Sequence, residues 1–524
     1  MSTELRSLLG GQWLAGGGQP ETLVNPTDGS AVAHASTQGL DLGAALGQAR
    51  AAGAALRQLG YAARAALLGR TAEVLTQNRA RYFEIALRNS GSPESDAGID
   101  IDGALFTLKF YARTGAALGS GSYLAEGDKL VLAKDGSFDA THIAVPVRGA
   151  AIHINAFNFP AWGLWEKAAP TLLSGVPLVA KPATATAWLA YEMIKDVHAA
   201  GIWPEGALSL ICGRAGDLLD HVCGNDVVSI TGSAQTAALI RGSRQVLEQS
   251  VRVNVEADSV NSALLGPDAV AGSPEFDLYI KEVAREITVK AGQKCTAIRR
   301  ALVPVALLPA VREALLARLS KTEVGNPAVK SVRMGPLVNK SQQRAAFQGI
   351  QRLATEAELV LGGTERLPLT DASFELGAFV PPTVLLCHDP DQARVVHDTE
   401  VFGPVATLLP YRDLDHALAL AHRGGGSLVA SVYSGDDQVL QAAALELAAT
   451  HGRVLAINAS VAASHTGHGN VMPQCLHGGP GRAGGGEELG GLRALAFYHR
   501  RAAVQGPTAT VAALSARGAH RGIA

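Results

Sequence analysis

The stretch Gly292-Gln293-Lys294-Cys295-Thr296-Ala297-Ile298-Arg299-Arg300 holds the residue best suited to covalent chemistry. An apolar-periodic helix predicted over 274–290 runs into it, Gly292 breaks the pattern, and Cys295 follows in a turn. A thiol between Lys294 and Thr296 is expected to be partly exposed in polar, electropositive surroundings that favour the thiolate. Cys212, Cys223 and Cys387 adjoin aliphatic runs and read as small core hydrophobes. Taken alone, Cys295 reads first as a structural thiol; its meaning depends on the elements around it.

Those elements are predicted from periodicity. Residues 40–89 and 101–114 are helical, and 119–148 read as a protruding β-hairpin with strands over 129–133 and 140–145. From Gly149 strands and helices alternate. Strands are expected over 150–154, 177–181, 207–212, 226–230 and 251–256, with helices over 160–173, 185–200, 216–222 and 234–244 between them. That order predicts an α/β fold with a doubly wound parallel sheet and a nucleotide site at its strand carboxyl ends. A second α/β series, with strands over 301–305, 384–387, 405–409 and 428–433, precedes a glycine-rich stretch over 467–491 and a short strand over 495–499. Residues 508–524 show weak pattern and are expected to form a loosely held tail.

Composition excludes several classes. The chain of 524 residues is 47% hydrophobic and 18% charged with a net charge of −2, so it carries no electrostatic footprint for nucleic acid or an anionic membrane. Five scattered cysteines form neither a disulfide framework nor a metal-ligand spacing, and no metal is expected. The first residues lack the apolar core of a signal peptide, and no apolar run reaches membrane-spanning length, which predicts a cytoplasmic protein with a free Cys295.

Several landmarks occur in order. They are Asn155-Ala156-Phe157-Asn158-Phe159-Pro160-Ala161-Trp162, Lys181-Pro182-Ala183-Thr184, Ile230-Thr231-Gly232-Ser233-Ala234, Val255-Glu256-Ala257-Asp258-Ser259, Cys295, Glu400-Val401-Phe402-Gly403-Pro404 and His477-Gly478-Gly479-Pro480-Gly481-Arg482-Ala483-Gly484-Gly485-Gly486. Each is weak alone. Together, over essentially the whole chain, they resemble the aldehyde dehydrogenase superfamily, and within it the branch acting on CoA-thioester semialdehydes in aerobic aromatic breakdown.

The resemblance implies a Rossmann-like dinucleotide-binding domain (1–118 and 149–257), a catalytic domain (258–470) and a small oligomerisation β element (119–148 and 492–507). It implies that Cys295 attacks an aldehyde and that Asn158 and the Cys295 backbone N–H hold the thiohemiacetal oxyanion. Glu256 then activates water against the thioester. A carboxylate at a strand end beside an apolar cleft is expected to have a raised pKa. Glu488 matches a proton-relaying glutamate, with Glu487 adjacent as the competitor. Read singly, Asn158 could be a turn or cap residue and Glu256 a solvated strand-terminal charge.

For the cofactor, the resemblance assigns Gly232 and Ser233 to the pyrophosphate, Lys181 to the adenosine ribose or its 2′-phosphate, and Glu400 and Phe402 to the nicotinamide ribose and ring. Ile154, Phe157 and the Ala257 carbonyl join them. A helix cap and a solvated lysine are the plainer readings of Ser233 and Lys181. NAD-preferring relatives usually carry Glu where Thr184 stands; a neutral Thr184 leaves room for phosphate beside Lys181, with Arg214 as a second contact, and predicts NADP. Asp258-Ser259 replaces a usual Gly-Gly pair. Phe106, Phe110 and Trp165 are expected to line a substrate tunnel, or else to pack in the core, with 466–473 closing it. A homodimer paired through the hairpin and a CoA-linked aldehyde substrate complete the expectation. The competing readings are a CoA-acylating dehydrogenase, disfavoured by Glu256, a cysteine thioesterase or esterase, and a non-catalytic nucleotide-binding protein.

Overall fold

The computed structural model describes residues 2–520. Two seven-stranded sheets organise the chain. In the first, strands Ala151–Ile154, Leu178–Lys181, Leu208–Leu210, Val227–Thr231 and Arg252–Glu256 are mutually parallel. Their spatial order, 252–256, 227–231, 151–154, 178–181, 208–210, reverses direction between Val227–Thr231 and Ala151–Ile154. That switch point opens a crevice at the strand carboxyl ends, where loops 155–161 and 231–233 both emerge. Near-continuous Val, Ile, Leu and Ala runs suit strands covered by helices on both faces. Two short N-terminal strands, Ser7–Leu9 and Gln12–Leu14, extend this sheet antiparallel, an addition that the sequence pattern did not reveal.

The second sheet has the order 358–361, 383–386, 405–411, 300–304, 262–265, 427–433, 451–457, parallel except at its first pair. Strand His451–Ile457, on its edge, was not predicted because its alternation is interrupted by Gly452 and Arg453. The helix expected over 274–290 runs from Pro274 to Thr288, capped by Ser273, whose Oγ accepts from the Phe276 N–H.

A four-stranded sheet holds the predicted hairpin, Leu124–Val131 and Phe138–Pro146, between His499–Pro507 and Ala519–His520. Two expectations are corrected here. Residues 491–498 form a 3-10 helix, and the strand begins only at His499. The tail is not loose over its described part: Thr508–Arg517 is a helix whose Val511 is buried, and Ala519–His520 pairs parallel with Leu124–Ala125. One apolar anchor and a two-residue pairing are too short to register as periodicity. Residues 521–524 lie outside the described residues. No helix among the described residues is long and apolar enough to cross a membrane.

Candidate active site

The backbone that presents Cys295 is bent. After helix Pro274–Thr288, Lys290 and Ala291 adopt positive φ (52° and 49°), and Gly292 follows at 67°. A Cβ on Gly292 would meet the Gly403 carbonyl oxygen at 2.1 Å, so glycine is required there. Non-glycine residues in this region cost on the order of 1–3 kcal/mol each and persist only when their surroundings hold them. Here the buried Asp96 carboxylate accepts from the Lys290 N–H (2.7 Å), Arg299 donates to the carbonyls of Gly292, Lys294 and Gly403, and Asn261 Nδ2 donates to the Cys295 carbonyl (2.8 Å).

Cys295 is half-buried, as expected, but its surroundings are not electropositive. Lys294 turns away into a buried ion pair with Glu286 (2.7 Å). Burial first, and then the negative charge of Glu256, hold the Cys295 thiol well above the usual thiol range. The misreading follows from sequence adjacency: neighbouring residues of a tight turn point in different directions.

Glu256 ends its strand as predicted and is buried, not solvated. Its carboxylate accepts from Thr231 Oγ1 (3.2 Å) and stands 3.0 Å from His477 Nε2. Burial pushes Glu256 up, but the facing His477, with Lys167 and Cys295, outweighs it, so its pKa falls below the usual range rather than rising. His477, to which the family resemblance gives no role, also lies 4.0 Å from Cys295 Sγ and packs edge-on against Trp162. Only its tertiary partners distinguish it from a core histidine.

Strands Leu476–Gly478 and Glu487–Leu489 pair so that His477 faces Glu488. Glu488 is buried and Glu487 exposed. Glu488 accepts from Ser229 Oγ and Asn254 Nδ2 (2.9 Å each) and pairs with Lys167 Nζ at 2.9 Å. Lys167 in turn touches Glu166 at 2.5 Å. Burial opposes the Lys167 charge, but Glu166, Glu488 and Glu256 outweigh it and keep the ammonium; burial raises Glu166 well above the carboxylate range. Glu166 and Lys167 were missed because they sit in the helical run 160–173, where a Glu-Lys pair reads as a solvated face.

Asn158 is buried in the loop after strand Ala151–Ile154 and shares the wall of a small cavity with Phe157, Lys290 and Gln293. A separate cavity of about 280 Å³ leads to the sulfur. Its walls are Ile99, Phe106, Phe159, Trp162, the segment Gly469–Met472, Cys295 and His477, with Asp102 among them. Phe106 and, of the 466–473 segment, Gly469–Met472 line this cavity. Phe110 and Trp165 are not among the wall residues: Trp165 is fully buried in the core and Phe110 packs edge-on against Tyr111. Trp162, at the start of its helix, takes the place expected for Trp165. The Asp100 carboxylate accepts from the Trp162 N–H (2.7 Å) and fixes that helix start.

The cofactor candidates gather at the switch point. Gly232 and Ser233 open helix Ala234–Arg241, and Ser233 Oγ accepts from the Thr236 N–H. Asp258 accepts from the Ala234 N–H (3.0 Å), tying the loop after Glu256 to this helix. Thr184 Oγ1 donates to the Gly213 carbonyl, and Thr186 Oγ1 to that of Phe157. Lys181 ends its strand beside Ile154; burial lowers its pKa, and Glu21 counteracts this. Arg214 is exposed and pairs with Glu21 at 2.6 Å. Glu21, on the N-terminal strand Glu21–Val24, was not foreseen. Glu400 Oε2 accepts from the Ser259 N–H, and its buried Oε1 makes no hydrogen bond but lies 3.9 Å from Arg299; burial raises its pKa to about 7. Phe402 meets Phe157 edge-on at 5.6 Å, and the Ala257 N–H donates to the Ala483 carbonyl. A buried carboxylate, a half-buried lysine and a helix start near the strand carboxyl ends fit a dinucleotide.

The fold and site thus define a cysteine-dependent, dinucleotide-linked oxidoreductase. The model of the aldehyde dehydrogenase family matches residues 13–504, and the chain belongs to that family. It is 56% identical over 478 residues to the 3,4-dehydroadipyl-CoA semialdehyde dehydrogenase of Aromatoleum evansii, covering 91% of this chain and 93% of that protein. It is 25% identical to the glutarate-semialdehyde dehydrogenase of Pseudomonas putida over 82% of this chain and 85% of that one. Among solved structures, the Staphylococcus aureus betaine aldehyde dehydrogenase in complex with NAD+ superposes with a TM-score of 0.83 at 23% identity, over 96% of this chain and 95% of that one. The lactaldehyde dehydrogenase of Escherichia coli gives 0.84 at 21%, over 96% and 99%. The chain is an aldehyde-oxidising enzyme that uses a pyridine nucleotide.

Proposed function

We propose that this enzyme oxidises a CoA-linked semialdehyde of the 3,4-dehydroadipyl-CoA type to its carboxylic acid, with NADP as acceptor. The observation carrying the hydrolytic outcome is the convergence of Cys295, Glu256 and His477 at the inner end of an apolar tunnel. The thiol proton leaves toward the Glu256–His477 pair as Sγ attacks the aldehyde carbon. The Asn158 amide and the Cys295 N–H stabilise the oxyanion. A nicotinamide held by Glu400 and Phe402 would supply the hydride acceptor as the oxyanion collapses, leaving a thioester on Cys295. Glu256, anionic at neutral pH, then takes a proton from water as that water attacks the thioester, releasing the acid and the thiol. Glu166, Lys167 and Glu488 carry the proton onward. An acylating enzyme would pass the acyl group to free CoA; a buried carboxylate beside the sulfur favours water instead.

Lys181, with neutral Thr184 beside it and Arg214 within reach, supports NADP. Gly232, Ser233, Ile154, Phe157, Ala257, Glu400 and Phe402 would hold the rest of the dinucleotide. A second cavity of about 820 Å³ shares Asp102 with the tunnel and is lined by Arg79, Lys330 and Arg333 alongside Glu84 and Glu94. It offers room and cations for a bulky phosphorylated tail. Leu130, Val131, Leu132 and Phe138 are exposed on the hairpin, which supports a homodimer formed through residues 119–148 and 492–507. A free catalytic thiol supports a cytoplasmic location. The test is to follow reduced-nicotinamide absorbance with free aliphatic aldehydes and with CoA-tethered semialdehydes. A higher kcat/KM for free aldehydes would remove the CoA assignment, and a higher value with NAD the NADP assignment.

A further inference from the structure

Cys295, His477 and Glu256 come from three distant segments, yet one Sγ, one imidazole nitrogen and one carboxylate oxygen lie within 4.8 Å of one another. His477 Nε2 is 3.0 Å from Glu256 Oε1 and 4.0 Å from Cys295 Sγ. The same nitrogen therefore faces both neighbours. In a hydrolase-type triad the two ring nitrogens would serve one partner each. Glu256 Oε1 is buried against that imidazole nitrogen.

Thiolate, imidazole and carboxylate are the ligand types of zinc, and three protein ligands with one open position form a common tetrahedral arrangement. Bond lengths of about 2.0–2.3 Å place such ligand atoms about 3.3–3.6 Å apart. The observed separations of 3.0 and 4.0 Å bracket that range. Side-chain rotation of a few tenths of an ångström would satisfy it. His477 and Cys295 also line the tunnel, so the fourth position would face incoming solvent or ligand.

We propose that Cys295, His477 and Glu256 form an inhibitory site for a soft divalent cation of the zinc class. Binding replaces the thiol proton, which is released to solvent, and occupies the nucleophile and the water-activating carboxylate together. The site is independent of which aldehyde or dinucleotide the enzyme uses. Sequence spacing hides it, because no two of the ligands are near one another along the chain.

The test uses the full-length enzyme, with Zn2+ and Co2+ as probes. One equivalent of Zn2+ should abolish turnover reversibly to a chelator and protect Cys295 from iodoacetamide, read by peptide mass spectrometry. Co2+ should give a thiolate-to-cobalt charge-transfer band that Cys295→Ser removes. His477→Phe keeps a ring against Trp162, and Glu256→Gln keeps the side-chain shape; each should weaken Co2+ binding at least ten-fold. Cys475→Ser, an exposed thiol two residues from His477, should leave it unchanged. Wild-type affinity in both His477→Phe and Glu256→Gln, or loss of the band in Cys475→Ser, would overturn the proposal.

Discussion

Lys167 Nζ reaches Glu488 Oε2 at 2.9 Å, joining the helix after the first nucleotide strand to the glycine-rich hairpin near the end of the chain. The contact is buried on both sides, and it links Glu166 to the carboxylate cluster around Glu256. Breaking one partner of such a pair strands the other charge in a dry interior.

Lys167→Met and Glu488→Gln should therefore slow steady turnover by on the order of 10²-fold, the lower end of general acid–base effects. If the network serves proton removal after acylation, the pre-steady-state burst of reduced cofactor survives in Glu488→Gln. A burst lost in proportion to the steady rate would assign the network to an earlier step.

Glu256→Gln should also keep a burst with little steady turnover, and Cys295→Ala none. The charge of Glu256 holds the Cys295 thiol up, so the neutral variant should shift the pH profile of iodoacetamide alkylation to lower pH. A shift to higher pH would show that Glu256 chiefly helps thiol ionisation.

Glu400, raised to about 7 by burial, is neutral below that pH and anionic above it. The anion is the better acceptor for ribose hydroxyls, so dinucleotide affinity should rise as pH climbs through about 7, and Glu400→Gln should flatten the profile. The sign for folding is opposite. A carboxyl whose folded pKa lies above its unfolded value favours the folded chain at acid pH, and that contribution is lost as pH rises through about 7. Between the ordinary carboxylate value of 4.5 and about 7, the pH dependence of thermal unfolding should flatten in Glu400→Gln.

Thr184→Glu should lower kcat/KM for NADP at least ten-fold while sparing NAD, because a carboxylate would repel the 2′-phosphate beside Lys181. Glu21→Gln should act in the other direction by freeing Arg214 from its 2.6 Å pair. Equal effects on both dinucleotides would place the phosphate elsewhere.

Combined Lys330→Ala and Arg333→Ala should raise KM for a CoA-tethered semialdehyde several-fold and leave a short free aldehyde unaffected. Salt should reproduce the effect in the wild type, since exposed charges are screened.

Much of this site was legible in the linear chain. The parallel alternation is written in Val- and Ile-rich runs separated by helical periods, and Cys295, Glu256 and Glu400 sit at breaks where strands or helices end. Position along an element is a local property, so local sequence reports it. Protonation is not. Glu256 was expected to rise and instead falls because His477 arrives from a remote hairpin; Lys294 appeared to electrify Cys295 but is neutralised by Glu286. Trp162 and Trp165 differ by less than one helical turn, and only the packing of helix Glu94–Ala116 decides which one faces the tunnel. The sequence by itself determined the family, the order of strands and the identity of the reactive sulfur, because backbone propensity and hydrophobic period act over a few residues. The charge state of that sulfur, the company of His477, Lys167 and Glu21, and the ordering of residues 508–520 came only from tertiary structure. Electrostatic energy depends on distances through space and on burial, and neither is encoded by separation along the chain.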